Sequence, residues 1–180
     1  MDIPISFKIY LQWKNLFNKK EDNHQIKISK EGRGVRSILF FLPEKIQDAK
    51  IVNYLVKVEN PLPGYDIGLV CSERSKMFYP HIDNVKLFTF NDEDLNYFDT
   101  IKSVLFMDTI KSKNYDAIVD LNTEFCAATT MLAFELDAPL KIGFDSIVNR
   151  KIFTITLERK ENTFLESYFS RILNLLGVKL

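Results

Sequence analysis

From Ser37 onward the chain alternates short runs of β-branched and aromatic residues with longer stretches of helical period, and this alternation restricts the fold more than any other feature. Strands separated by helices pair in parallel through crossover connections, and the crossover helices then cover both faces of the sheet. Strands are expected at 38–42, 67–71, 86–90, 117–120, 141–144 and 152–156, and helices near 46–58, 95–112, 124–136 and 162–176. In the last of these helices Leu165, Phe169, Ile172 and Leu176 form one apolar stripe, with Gly177 just past its end. Between 72 and 84 a short helix or loop is expected, its length limited by Pro80. Right-handed crossovers give an α/β fold, a Rossmann-like three-layer sandwich with a mostly parallel sheet.

Ahead of this pattern, residues 1–36 form an amphipathic helix and a linker, and residues 37–180 form the Rossmann-like domain. Ile5, Ile9, Trp13, Leu16 and Phe17 share one side of the helix, and Lys8, Gln12, Asn15 and Lys19 recur on the other. That apolar side can pack on the protein's own core, dock on a partner protein or lie in a membrane interface as a peripheral contact through residues 5–17. The segment 19–36, charged and holding Gly32 and Gly34, reads as a linker with one short strand at 25–28.

Composition narrows the function classes. With 24 basic and 24 acidic side chains among 180 residues no global field favours nucleic acid, although residues 1–36 hold 8 Lys/Arg against 4 Asp/Glu, which leaves 16 against 20 for the remainder. Only Cys71 and Cys126 are present, without the spacing of a disulfide framework or a zinc site, so a reducing compartment is expected. No apolar run is long enough to span a bilayer, and Lys8, Gln12 and Lys14 interrupt any leader-like core, which points to a cytoplasmic protein, with any membrane contact peripheral.

In an open parallel sheet ligands sit beyond the carboxyl ends of the strands. The first such loop, Pro43-Glu44-Lys45-Ile46-Gln47-Asp48, contains no glycine through which backbone N–H groups could approach a pyrophosphate, so no dinucleotide or other cofactor is expected there. Asp48 enters the following helix, where a carboxylate can accept a proton from a ligand hydroxyl or merely serve the helix N-terminus. Asp120 and Asn122 follow the fourth strand and, with Lys45, are the expected substrate contacts; capping of the next helix is the competing role for Asn122. Asp92-Glu93-Asp94 has the form of a metal-holding pair of carboxylates, but it also opens a helix, and no metal is expected. His24 and His81 lack matched ligands or a nucleophile, and Cys126 reads as core filling.

Several stretches in order resemble the amino-terminal half of family 9 glycosyltransferases, the ADP-heptose:lipopolysaccharide heptosyltransferases. Ile38-Leu39-Phe40-Phe41 followed by Gln47-Asp48 is similar to that family's opening strand and turn, Pro63-Gly64-Tyr65-Asp66-Ile67-Gly68-Leu69-Val70 to its second strand, and Ile82-Asp83-Asn84-Val85-Lys86-Leu87-Phe88-Thr89-Phe90 to its third. Asn114-Tyr115-Asp116-Ala117-Ile118-Val119-Asp120-Leu121-Asn122, and later Ala138-Pro139-Leu140-Lys141-Ile142-Gly143-Phe144-Asp145, resemble the family most closely, and Leu175-Leu176-Gly177-Val178 resembles the end of that half. The resemblance covers 37–180 and implies the acceptor-binding half of a GT-B glycosyltransferase of lipopolysaccharide biosynthesis, with Asp48 at the position of the proposed general base and inversion at the transferred sugar. The family's small or hydroxylated residues and glycine before that aspartate are replaced by Glu44, Lys45, Ile46 and Gln47, and its basic residue near the end of the first strand by Leu42. The second, donor-binding half is absent from these 180 residues. A non-catalytic binding or assembly module, inactive alone, is therefore the expected function; the alternative is an inverting transferase half completed by a donor-binding partner chain or domain, acting on a sugar or glycolipid acceptor. A homo-oligomer is a further expected assembly.

Overall fold

A computed structural model of the chain describes residues 3–17, 35–55, 64–79, 85–159 and 164–176, with the side chains of 15–17 and 54–55 outside the description. The elements run α1 (Ile5–Phe17), β1 (Ser37–Phe41), α2 (Ile46–Leu55), β2 (Asp66–Ser72), β3 (Lys86–Phe90), α3 (Val104–Lys111), β4 (Ala117–Asp120), α4 (Ala127–Glu135), β5 (Leu140–Phe144), α5 (Asn149–Ile152), β6 (Ile155–Leu157) and α6 (Leu165–Leu175). The strands form one six-stranded sheet in the order β3-β2-β1-β4-β5-β6, and every pairing is parallel. The chain is thus a Rossmann-like α/β sandwich, with its switch in strand order between β1 and β4.

Strand alternation divides the core. Ile38, Phe40 and Leu42 point to one face, where Ala49 and Val52 of α2 meet Leu165, Phe169 and Ile172 of α6. Leu39 and Phe41 point to the other, against Met107 and Ile110 of α3 and Leu132 and Ala133 of α4. A strand covered on both sides has no polar face to show, which is why β1 reads as an unbroken apolar run. Gly143 on β5 makes the second layer close: a Cβ there would stand 3.0–3.2 Å from three atoms of the buried Phe153 ring. The buried Lys141 ammonium, also on β5, donates to the carbonyls of Ala133 and Leu136 at 2.7 Å each, so the exposed end of the α4 dipole is closed by a cation from the sheet.

Several expected boundaries move. The helix expected from 95 begins only at Val104: Asn91 caps a single 3-10 turn over Asp92–Asp94, and Asn96 Oδ1 then accepts from the N–H groups of Phe98 and Thr100, an alternative to helical pairing that Asp99 at φ +55° completes. Helix α4 begins at Ala127 with Cys126 before it, so Asn122 does not cap it. The last strand starts at Ile155 and not at Ile152, because Asn149 donates to the Phe144 carbonyl at 2.8 Å and folds 149–152 into a short helical turn. The linker strand expected at 25–28, both histidines and Gly177 lie outside the described residues.

The N-terminal helix forms where expected but turns the opposite way. Phe7 and Leu11 are its buried residues, 2% and 4% exposed, and with Ile3 they pack on Met131 and Phe134 of α4 and on Val148. Lys14 Nζ donates to Glu135 Oε1 at 2.8 Å, and Tyr10 stacks on Phe98 with ring centroids 4.9 Å apart. Ile5, Ile9 and Trp13, expected to pack on the core, on a partner protein or in a membrane interface, stand 74%, 62% and 55% exposed. The helix carries two apolar stripes, and the one that docks is the one whose Phe fits the α4 groove.

Replacing Phe7 by Ala should therefore loosen the α1 docking by about 3 kcal/mol or more, while Ile9→Ala should stay within about 0.5 kcal/mol of wild type. Limited proteolysis between α1 and β1 with thermal unfolding of each variant measures the difference; equal behaviour would mean that the inward face is misassigned.

Candidate functional site

Three loops meet where the strand order switches, and hydrogen bonds tie them together. The Asp120 carboxylate, 3% exposed at the end of β4, accepts from the Asn122 backbone N–H at 3.0 Å and from Asn122 Nδ2 at 2.7 Å on one oxygen, and from Thr129 Oγ1 at 3.0 Å on the other. Asn122 Oδ1 in turn accepts from the backbone N–H of Glu44 at 3.3 Å. Thr123 donates to Asp48 Oδ2, and Lys45 is hydrogen-bonded and ion-paired to Glu124. Glu44, Lys45 and Asp48 of the β1–α2 connection are thus fastened to Asn122, Glu124 and Thr123 of the β4–α4 connection. Tyr79 adds a fourth tie by donating from its buried hydroxyl to the Pro43 carbonyl at 2.8 Å.

All four residues singled out by sequence, Asp48, Lys45, Asp120 and Asn122, belong to this assembly. Asp48 stands in the first turn of α2 and is 6% exposed. Asp120 is fully enclosed, and burial pushes its carboxyl up to about 6, against the lowering effect of its donors from Asn122 and Thr129. The hydrogen bond that it donates to Glu124 holds the Lys45 ammonium above the ordinary lysine value. The two thiols are held in their neutral forms by burial, Cys71 at about 11 and Cys126 at about 12, which leaves them poor nucleophiles.

Beside the assembly, a cleft of about 720 Å³ opens along the carboxyl ends of β2 and β3. Glu44 reaches it from the first loop, Arg74 and Asp92 from the turns after β2 and β3, and Tyr97, Phe98 and Phe125 supply ring surface, whereas Phe90, also in its lining, is 3% exposed. The first residues of the N-terminal segment, Pro4, Ser6 and Phe7, close one end, with the Phe7 ring edge-on to Phe125 at 4.8 Å between centroids. Asp48, Lys45, Asp120 and Asn122 are not among its lining residues. Arg74 pairs with Asp92 across the mouth, both largely exposed.

The acidic triplet after β3 divides its roles. Asp94 accepts from the Asn91 N–H at 2.9 Å and closes a capping box, while Asp92 faces Arg74, so these carboxylates do not converge. Among the described residues no group of three or more His, Cys, Asp or Glu could hold a metal ion. Sequence reasoning passed over Glu44 and Arg74; the signal available for both was their position just beyond the ends of β1 and β2.

The fold is shared with glycosyltransferase family 9. Heptosyltransferase WaaC of E. coli, solved with ADP, superposes with a TM-score of 0.55 at 13% identity over 79% of this chain and 48% of that one. A family 9 glycosyltransferase from Veillonella parvula DSM 2008 gives a TM-score of 0.55 at 18% identity over 80% of this chain and 42% of that one. The chain therefore spans less than half the length of either. No family model matches the sequence, and no curated protein matches it.

A carboxyl held near 6 in the fold and near 3.8 when unfolded binds its proton more tightly in the native state, so its contribution to stability is greatest below pH 4 and falls as pH rises through about 6. Urea unfolding between pH 4 and pH 7.5 should show Asp120→Asn gaining stability relative to wild type as pH rises, because the amide keeps an acceptor for Asn122 and carries no buried charge. Parallel pH profiles would exclude this role for Asp120.

Proposed function

We propose that the chain is a glycosyltransferase-like binding module, the counterpart of the acceptor-binding half of family 9, which holds a hydroxylated, sugar-containing ligand in the cleft along β2 and β3 and does not transfer a sugar unaided. The observation that carries this reading is the joint presence in one cleft of the accessible rings of Tyr97, Phe98 and Phe125 with Glu44, Asp92 and Arg74. Aromatic faces receive the C–H surface of a sugar ring, and charged groups bond its hydroxyls more strongly than neutral ones do. The glycine-free loop after β1 supports the absence of a nucleotide seat, and a donor would have to be supplied by another chain or a further stretch of the protein. Without an oriented donor, transfer forgoes a proximity contribution of roughly 7–11 kcal/mol.

Saturation-transfer NMR with lipopolysaccharide core oligosaccharides, monosaccharides and ADP-sugars tests the reading. Saccharide binding is expected, weakened about tenfold or more by Glu44→Gln or Arg74→Ala through the loss of one charge-assisted hydrogen bond each. Tight binding of an ADP-sugar with no response to the saccharides would overturn it.

One placement favours a second reading, a transferase half awaiting its donor-binding partner: Asp48 lies in the first turn of α2 at the switch point of the sheet, where a base could meet an acceptor hydroxyl. Asp48→Asn preserves an acceptor for Thr123 and should leave the unfolding free energy within about 1 kcal/mol. On this second reading it abolishes transfer in the presence of the partner. A loss of several kcal/mol would make Asp48 architectural and remove the latent base.

A further inference from the structure

Across the whole chain acidic and basic side chains balance at 24 each, but the cleft along β2 and β3 does not share that balance. Among the described residues its lining holds Glu44, Glu73, Asp92 and Asp99 against one cation, Arg74. Two of these carboxylates are neutralised within the protein: Arg74 pairs with Asp92, and Lys76 reaches Glu73 at 3.3 Å. The other two, Glu44 on the β1–α2 connection and Asp99 on the loop before α3, are exposed, and no cation of the described residues pairs with either. The Glu44 charge also acts inward, adding to burial in holding the Asp120 carboxyl and the Cys126 thiol toward their neutral forms.

Carboxylates alone would describe any solvated loop. Here they share a concavity of about 720 Å³ with the rings of Tyr97, Phe98 and Phe125, a volume within the range of small-molecule sites. Tyr97 is 93% exposed and stands edge-on to Phe98 with ring centroids 5.6 Å apart, so its faces are not spent on holding the fold. An aromatic face attracts a cation held over it as well as the C–H surface of a sugar. A cleft lined mainly by one sign of charge concentrates that sign's field between its walls. Rings and unpaired carboxylates therefore favour the same ligand group, an ammonium, over a neutral or anionic one. We propose that the cleft selects a saccharide bearing protonated amines, whose ammonium groups meet Glu44 and Asp99 and whose rings lie on the aromatic wall. This rests on the reading that the cleft holds a saccharide and adds the charge of that ligand.

Calorimetric titration of the full chain with glucosamine oligosaccharides, N-acetylglucosamine oligosaccharides of the same length, and spermidine tests the proposal, in mildly acidic buffer of low ionic strength where the amines are charged. The glucosamine oligomers should bind about tenfold or more tighter than the acetylated ones, and added salt should shrink that ratio. Glu44→Gln with Asp99→Asn removes both charges at nearly constant shape, and asparagine tolerates the φ of +55° at position 99, so the thermal midpoint should hold while the ratio collapses. Equal affinity for the two oligosaccharides, or a ratio that survives the double variant, would overturn the inference and leave the saccharide reading standing. Spermidine binding as tightly as the glucosamine oligomers would overturn the saccharide reading instead, since charge alone would then be recognised. No binding of any of the three would overturn both.

Discussion

The arrangement at the carboxyl edge of the sheet depends on the buried carboxylate of Asp120. Two parallel strands, β1 and β4, lie side by side there, and the connections that leave them run to helices on opposite faces. Such divergent loops have no regular backbone pairing to hold them. Asp120 supplies what the ladder does not: it orders Asn122 and Thr129 around itself, and Asn122 passes the constraint to Glu44. Burying an anion without donors would be prohibitive, and here three donors meet it. From that node follow the position of Asp48 against Thr123, of Lys45 against Glu124, and of Glu44 at the cleft.

The cleft itself is a product of two levels of structure. The sheet edge furnishes Glu44, Arg74 and Asp92, all beyond the ends of neighbouring strands, as parallel architecture dictates. Its closed end comes from outside the sandwich, where Phe7 meets Phe125 and Tyr10 meets Phe98. The wall is thus laid on a surface the sandwich already possesses, and the aromatic contacts make it part of one continuous lining.

The strands were legible in the sequence because parallel strands buried on both faces must be apolar throughout, and runs such as Ile38-Leu39-Phe40-Phe41 admit few other readings. The stripe Leu165, Phe169, Ile172 and Leu176 was legible for the complementary reason, since only one side of that helix is apolar, and the structure buries all four. Helix α1 defeated the same logic. With Phe7 and Leu11 on one side and Ile5, Ile9 and Trp13 on another, periodicity finds the helix and cannot say which stripe turns inward; the shape of the α4 surface decides that. The late start of α3 was hidden in Asn96, whose side chain competes for backbone N–H groups. At the site, the rule of strand ends placed Asp48, Lys45, Asp120 and Asn122 at one edge of the sheet, where the structure has them, although none of the four lines the cleft. What sequence could not supply was their mutual engagement, because Thr123, Glu124 and Thr129 are ordinary residues until the loops face one another.

Glu135 receives both Lys14 of α1, at 2.8 Å, and Lys111 of α3, at 3.8 Å. The carboxylate thus keeps a cation from the sandwich whether or not the N-terminal helix is in its seat. Detachment of that helix would strand no anion on the body, and reattachment would have no charge to wait for. The grip is governed by greasy contact area, so cooling weakens it more than brine does.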